Sequence, residues 1–137
     1  MSLLLKLTLI AGAGAAGAVA RYGLTHATGW VLRPWTPDGW VWGTLAVNTL
    51  GCLLFGVVWA ATEGKWPGAV EVRYAVLVGF LGSFTTFSTF AFEAVGLGVN
   101  QRPLLAAVHV GAHVGLGVAG VAGGLWLGAR LLALSQA

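Results

Sequence analysis

The chain has 137 residues, of which 58% are hydrophobic and only 8% are charged. Soluble domains carry about 25% charged residues, so this composition excludes an ordinary soluble globular protein. The net charge of +3 comes from basic residues that are scattered along the chain, which argues against a nucleic-acid-binding surface. The single cysteine, Cys52, gives no support to a disulfide scaffold or a thiolate metal site. We therefore predict an all-α membrane protein.

Four apolar runs are long enough to cross a bilayer as helices. A membrane-spanning helix needs about 20 predominantly apolar residues, and the runs cover about residues 3–26, 40–62, 74–99 and 104–134. All four prolines lie between these runs, where a missing N–H interrupts no helix. Almost nothing remains outside the runs, so residues 1–137 are predicted to form a single transmembrane domain.

The first run has two interpretations. Lys6 followed by apolar residues and the small residues 11–20 is also typical of a cleavable secretory signal. Cleavage would leave three spans and no domain to export, so we favour a retained helix. Arg21 lies inside this run, where its guanidinium either reaches the nearer interface or neutralises a buried site. Because arginine stays charged, we expect an electrostatic or structural role.

The second run carries polar residues at helical spacing. Thr44, Asn48 and Gly51 recur four and three residues apart, which places them on one helical face that continues to Phe55. The Asn48 amide either bonds a neighbouring helix or lines a polar path. We favour the path because an amide supplies two donor hydrogens.

The third run contains the most informative stretch of the chain, Gly79–Phe90. It places glycines and five hydroxyl groups in the middle of an apolar segment. Irregular backbone at membrane depth survives only when it is buried in protein or lines a cavity, so we predict a broken helix with the functional site. Freed carbonyls suit a cation, whereas hydroxyls and the electropositive ring edges of Phe87 and Phe90 suit an anion. Glu93, the only acid within a span, is a further functional candidate.

The fourth run contributes histidines and glycines. His109 and His113 are four residues apart, a spacing compatible with a metal site, but hydrogen bonding within the bundle is the interpretation we favour. Glycines four residues apart let helix backbones approach closely in lipid. The glycines with this spacing are Gly111, Gly115, Gly120, Gly124 and Gly128.

The distribution of basic residues predicts the topology. Four spans place both termini on one side, and orientation normally follows an excess of Lys and Arg in cytoplasmic loops. The side with the termini carries Lys6, Lys65, Arg73 and Arg130, and the other side carries Arg33 and Arg102, with Arg21 facing it. This small bias makes insertion in both orientations a live hypothesis. Four short helices leave little room for a conduit, so a transport path would be built by more than one copy.

Two sequence strings resemble a known family. Residues 43–48 (Gly-Thr-Leu-Ala-Val-Asn) and 79–90 (Gly-Phe-Leu-Gly-Ser-Phe-Thr-Thr-Phe-Ser-Thr-Phe), with 17–22 upstream, are similar to the Fluc/CrcB fluoride-channel family. The resemblance runs in order over three of the four spans. It implies a channel rather than an enzyme, assembled as an antiparallel, dual-topology homodimer. It also implies passive export of fluoride across the bacterial inner membrane.

The resemblance also implies roles for individual residues. Gly82 and Thr85 match positions whose backbone carbonyls, from both subunits, hold a structural sodium ion, and Arg21 matches the first-span arginine. The expected fluoride pathway comprises Asn48, Phe87, Phe90, Ser88, Thr89, Glu93 and Thr44.

One departure and two alternatives stay open. The fourth span lacks the hydroxyls usual in similar members, and instead His109 and His113 would face the polar track while Gly117 leaves a gap. This departure admits a heterodimer. A proton-coupled four-span multidrug exporter is a second hypothesis, although such exporters depend on a first-span glutamate that this chain lacks. A purely structural subunit, the third hypothesis, leaves Asn48 unexplained.

Overall fold

The chain forms a bundle of helices joined by short connections. A computed structural model describes residues 1–36, 39–63 and 66–135. Its elements are α1 (Leu3–Leu32), α2 (Gly39–Ala61), α3 (Ala69–Val72), a π-helix (Arg73–Leu81), α4 (Gly82–Phe84), α5 (Phe87–Val99) and α6 (Pro103–Ser135). Four helical stretches, Leu3–Leu32, Val41–Ala61, Ala69–Val99 and Pro103–Leu134, are long and apolar enough to cross a membrane. Lys65, which enters the topology prediction, lies outside the described residues.

The helix ends follow local chemistry. The Ser2 side chain caps α1 by accepting a hydrogen bond from the Leu5 amide at 3.3 Å. This helix continues past the predicted end at residue 26 to Leu32, and its C-cap, Arg33, keeps helical backbone angles and donates its amide hydrogen to the Gly29 carbonyl. The next residue, Pro34, has no N–H with which to extend the helix. Pro103 is the first residue of α6, where its missing N–H leaves no bond unmade.

Glycines let the helices approach each other backbone to backbone. A Cβ at Gly124 in α6 would overlap the Leu53 carbonyl of α2, and one at Gly17 in α1 would overlap the Phe80 carbonyl of the π-helix. Close packing therefore explains part of the predicted glycine series. Gly111 belongs to that series too, but a Cβ there would have no neighbour within 4 Å in the part of the protomer that the structure describes, and the same holds for Gly115.

Basic side chains make cation–π contacts with aromatic rings at one end of the bundle. The Arg73 guanidinium lies 4.4 Å from the centroid of the Trp59 ring, and its Nε donates a hydrogen bond to Thr62 at 2.9 Å. Lys6 stands over the Tyr74 ring at 5.0 Å. These contacts join the beginning of α1, the end of α2 and the start of the π-helix. A cation over a ring face contributes about 0.5–1 kcal/mol at exposed sites.

Between α4 and α5 the backbone leaves helical geometry. Thr85 has φ −83° and ψ 159°, and Thr86 has φ −149° and ψ 114°, both extended. The flanking segments remain packed, because Leu81 and Phe84 are buried with Val47 of α2 in the apolar core. Two extended residues therefore lie within the stretch Ala69–Val99, against the middle of α2.

Candidate functional site

Asn48 holds the extended residues in place. Its amide nitrogen donates to the Thr86 carbonyl at 3.0 Å, and its side-chain oxygen accepts from the Thr86 amide at 2.8 Å. Both backbone groups of Thr86 thus obtain partners that a helix would otherwise supply. Asn48 therefore bonds a neighbouring element, as the first interpretation expects, and it also lines a cavity. These two bonds leave its second amide hydrogen unused.

The predicted polar face of α2 meets three successive points of the third stretch. The Thr44 hydroxyl donates to Glu93 Oε1 at 2.5 Å. One turn on, Asn48 binds Thr86, and beyond it the Thr85 methyl packs against Gly51 so closely that a Cβ there would overlap it. The helical spacing of these residues indicated a shared face, and the structure shows that this face contacts the extended segment.

Hydroxyl groups form a small network at the start of α5. The Thr86 hydroxyl accepts from the Thr89 amide at 3.2 Å, so Thr86 is the N-cap of α5. It also lies 2.9 Å from the Thr89 hydroxyl and 3.3 Å from the Ser88 hydroxyl. Ser88 and Thr89 are exposed on the protomer. Two of the three predicted pathway hydroxyls, those of Ser88 and Thr89, are therefore connected to Asn48 through Thr86.

Phe87 and Phe90 form an aromatic pair next to this network. Their ring centroids are 5.4 Å apart with planes tilted by 60°. Phe90 is half-buried, whereas the Phe87 side chain is 79% exposed on the protomer. A cavity of about 270 Å³ separates the pair from α2 and α6. It is lined by Asn48, Cys52, Thr85, Thr86, Phe87, Phe90, His113 and Val114.

Glu93 lies at the centre of a buried polar cluster. Its Oε1 accepts the hydrogen bond from Thr44, and its Oε2 lies 3.4 Å from Nε2 of His109. This distance is short enough for an ion pair, but the two atoms are not hydrogen-bonded. His109 is fully buried. The sequence identified Glu93 and both histidines separately. Their contact across α5 and α6 was missed, and the signal available was that the only acid within a span needs a partner.

Arg21 lines a second cavity on the other side of Glu93. This cavity, of about 390 Å³, lies between α1, the start of α2 and α5. Its lining residues are Ala18, Arg21, Tyr22, Thr25, His26, Thr44, Thr86, Thr89 and Glu93. The guanidinium has no ion pair or hydrogen bond to any residue in the described ranges, so its charge faces the cavity rather than a fixed partner.

Gly82 and Thr85 border a third cavity, of about 340 Å³, on the face of α4. In a regular helix the Gly82 carbonyl would accept from the Thr86 amide, but that amide donates to Asn48. The Thr85 carbonyl would accept from the Thr89 amide, which donates to the Thr86 hydroxyl instead. Both carbonyl oxygens are thereby released from their ordinary helical donors.

The sequence model of the family described as CrcB-like protein, Camphor Resistance (CrcB), matches residues 8–125. A protein of Solidesulfovibrio magneticus named fluoride-specific ion channel FluC is 46% identical over 90% of this chain and 95% of its own length. Proteins of the same name from Nitrosococcus oceani and Rhizobium etli are 44% and 38% identical, over 82% and 89% of this chain and 87% and 94% of their own lengths.

These matches confirm the family prediction made from residues 43–48 and 79–90. The relatives are named as ion channels, which are not enzymes. Together with four helices able to cross a bilayer, they make this a multi-pass membrane protein. The chain belongs to the CrcB-like family.

Proposed function

We propose that the protein is a fluoride-specific ion channel that lets fluoride leave the bacterial cytoplasm down its gradient, across the inner membrane. The names of the relatives support the choice of ion. The observation that carries the proposal is the Asn48 amide, which holds the extended Thr86 in a lipid-buried stretch while facing the cavity beside Phe87 and Phe90. Polar groups are retained at this depth only where they serve a cavity or a partner.

The proposed path replaces the water around fluoride in steps. Fluoride is small and strongly hydrated, so each step must offer hydrogen-bond donors or positive ring edges. The free amide hydrogen of Asn48 and the edges of Phe87 and Phe90 supply the central part. Hydroxyls and the acid beside them continue the route; these residues are Thr44, Ser88, Thr89 and Glu93. The Arg21 guanidinium favours entry of an anion into the neighbouring cavity.

The functional unit in this proposal is an antiparallel homodimer. A Phe87 ring that is 79% exposed in the protomer would be covered by a second copy. The weak bias of basic residues between the two sides allows both insertion orientations. A related chain in place of the second copy, giving a heterodimer, would present the same surfaces.

The proposed dimer centre also fits a structural sodium ion. The Gly82 and Thr85 carbonyls lack their ordinary helical donors and border one cavity, and carbonyl oxygens are ligands that hard cations prefer. One protomer offers two such oxygens, so two copies would offer four. When bound, the ion would supply positive charge that holds the two α4 segments together.

The test is fluoride efflux from liposomes that contain the purified protein, with valinomycin present to carry the compensating charge. Phe87→Ile removes a ring edge and Asn48→Asp removes the amide donor, so each is expected to slow efflux at least about tenfold, equivalent to roughly 1.4 kcal/mol of barrier. Phe92→Ile is the matched control, because Phe92 is an exposed phenylalanine of the same helix outside the cavity beside Asn48. Unimpaired efflux in both test variants would refute the pathway, and absence of efflux in the wild type would refute the function.

A genetic test addresses the function in cells. The wild-type protein is expected to restore growth of a fluoride-sensitive bacterial strain in fluoride medium, and Phe87→Ile is expected not to. Rescue by neither protein, with both present in the membrane, would contradict the proposal.

A further inference from the structure

The two histidines of α6, which the proposed pathway leaves unused, belong to a buried cluster with Glu93. The His cluster consists of Glu93, His109 and His113. The rings of both histidines pack on Phe90, with centroid distances of 5.5 Å for His109 and 4.4 Å for His113. Glu93 Oε2, both ring nitrogens of His109 and Nε2 of His113 are buried without a hydrogen-bond partner among the described residues. Such groups are costly to bury, so their presence calls for a ligand or a shared proton.

The backbone fixes the tautomer of His113. Its Nδ1 lies 3.0 Å from the His109 carbonyl oxygen, and since a carbonyl only accepts, Nδ1 carries the hydrogen. A neutral His113 ring therefore has its lone pair on the buried Nε2. His113 also lines the cavity that contains Asn48 and Phe87. A lone pair repels an anion, whereas a protonated ring offers a second N–H donor.

We infer that the His cluster is a proton-linked fluoride site, in which fluoride beside Phe90 is held when His113 carries a second proton. This inference rests on the proposed channel function and deepens it. Fluoride is the conjugate base of a weak acid, so it accepts a shared proton far better than chloride does. Fluoride and the proton bind together, and each raises the binding affinity of the cluster for the other by the same factor.

Charge balance supports the linkage. Adding a bare anion beside buried Glu93 would leave an uncompensated negative charge in low-dielectric surroundings, which oppose it. Adding fluoride with one proton leaves the net charge of the cluster unchanged. From α2, Thr44 and Cys52 face the cluster and its cavity; from α1, Arg21, Tyr22 and His26 line the cavity on the far side of Glu93.

The experiment measures wild-type fluoride efflux from liposomes, with valinomycin, between about pH 8 and pH 6, the range in which histidines titrate. Efflux from protein-free liposomes at each pH is subtracted, because hydrogen fluoride crosses lipid unaided. Because fluoride is held together with one proton, the efflux rate is expected to rise by up to about tenfold for each unit by which the pH is lowered. Efflux that is present but equal at every pH overturns the His cluster inference alone, whereas absence of efflux at every pH overturns the channel function with it.

Variants assign the linkage to His113. The amide of His113→Gln supplies an N–H that does not titrate, so this variant is expected to conduct at about pH 8 with a flat pH profile. His26→Gln is the matched control, because His26 makes the same bond from Nδ1 to the carbonyl four residues earlier, at 2.9 Å, but is exposed. It is expected to keep the wild-type slope. A wild-type slope in a folded His113→Gln protein would overturn the inference, and the wild-type profile decides it even if that variant fails to fold.

Discussion

Replacing Asn48 with alanine and measuring stability tests the structural role of its hydrogen bonds, apart from the role proposed for it toward an ion. The substitution removes both hydrogen bonds to Thr86, one at 3.0 Å and one at 2.8 Å. Each leaves a partly buried backbone group without a partner, at about 1–3 kcal/mol apiece, so the free energy of unfolding is expected to fall by about 2–6 kcal/mol. Asn48→Asp keeps the acceptor for the Thr86 amide but turns a carboxylate oxygen toward the Thr86 carbonyl, so we expect a loss of at least about 1–3 kcal/mol.

The assay is reversible unfolding in mixed micelles of dodecyl maltoside and increasing sodium dodecyl sulfate, followed by tryptophan fluorescence. Asn100→Ala is the control, because Asn100 caps the C-terminus of α5 through its backbone amide, which the substitution retains. We expect Asn100→Ala to lie within about 0.5 kcal/mol of wild type. An Asn48→Ala protein as stable as the wild type would show that Thr86 finds other partners, and would refute the argument that Asn48 maintains the extended segment.

Two more substitutions test the packing around this site. Gly124→Ala introduces a methyl group that overlaps the Leu53 carbonyl, so we expect overpacking to lower the free energy of unfolding by about 1–3 kcal/mol. Gly115→Ala is the control, because no described atom lies within 4 Å of the added methyl group, and it is expected to leave the stability of a monomeric preparation unchanged. Equal stability of the two variants would contradict the close approach of α6 to α2. Thr44→Val keeps the shape of the side chain but removes the hydrogen bond to Glu93, so it is expected to lower the free energy of unfolding by about 1–3 kcal/mol. A variant as stable as the wild type would show that the Glu93 carboxyl group needs no donor from α2.

The sequence predicted the spans better than it predicted contacts between them. Hydropathy locates four runs because lipid demands continuous apolar helices, but the predicted first run ends at residue 26, before the polar Thr28, whereas α1 continues to Leu32. Likewise, Glu71 and Arg73 resembled a connection, although the third stretch already begins at Ala69. A helix near an interface carries charged residues without ending.

The candidate site was predictable in its residue types and not in its partners. Helical spacing placed Thr44 and Asn48 on one face, but which backbone that face meets depends on how α2 crosses the third stretch. The contact of Glu93 with His109 depends in the same way on how α5 lies against α6. Spacing alone also gave the same prediction for Gly115 and Gly124, whose surroundings in the protomer differ completely.

The number of residues in the π-helix Arg73–Leu81 determines the direction in which the residues after it point around the helix axis. Its bonds run from each residue to the fifth one along, so each turn contains more residues than an α-turn does. Loss of a single residue, without a compensating change in the bonding pattern, would rotate Thr85 and Thr86 by about a quarter turn around the axis. The number of residues in this segment, as well as their identity, therefore determines whether Thr85 and Thr86 face α2.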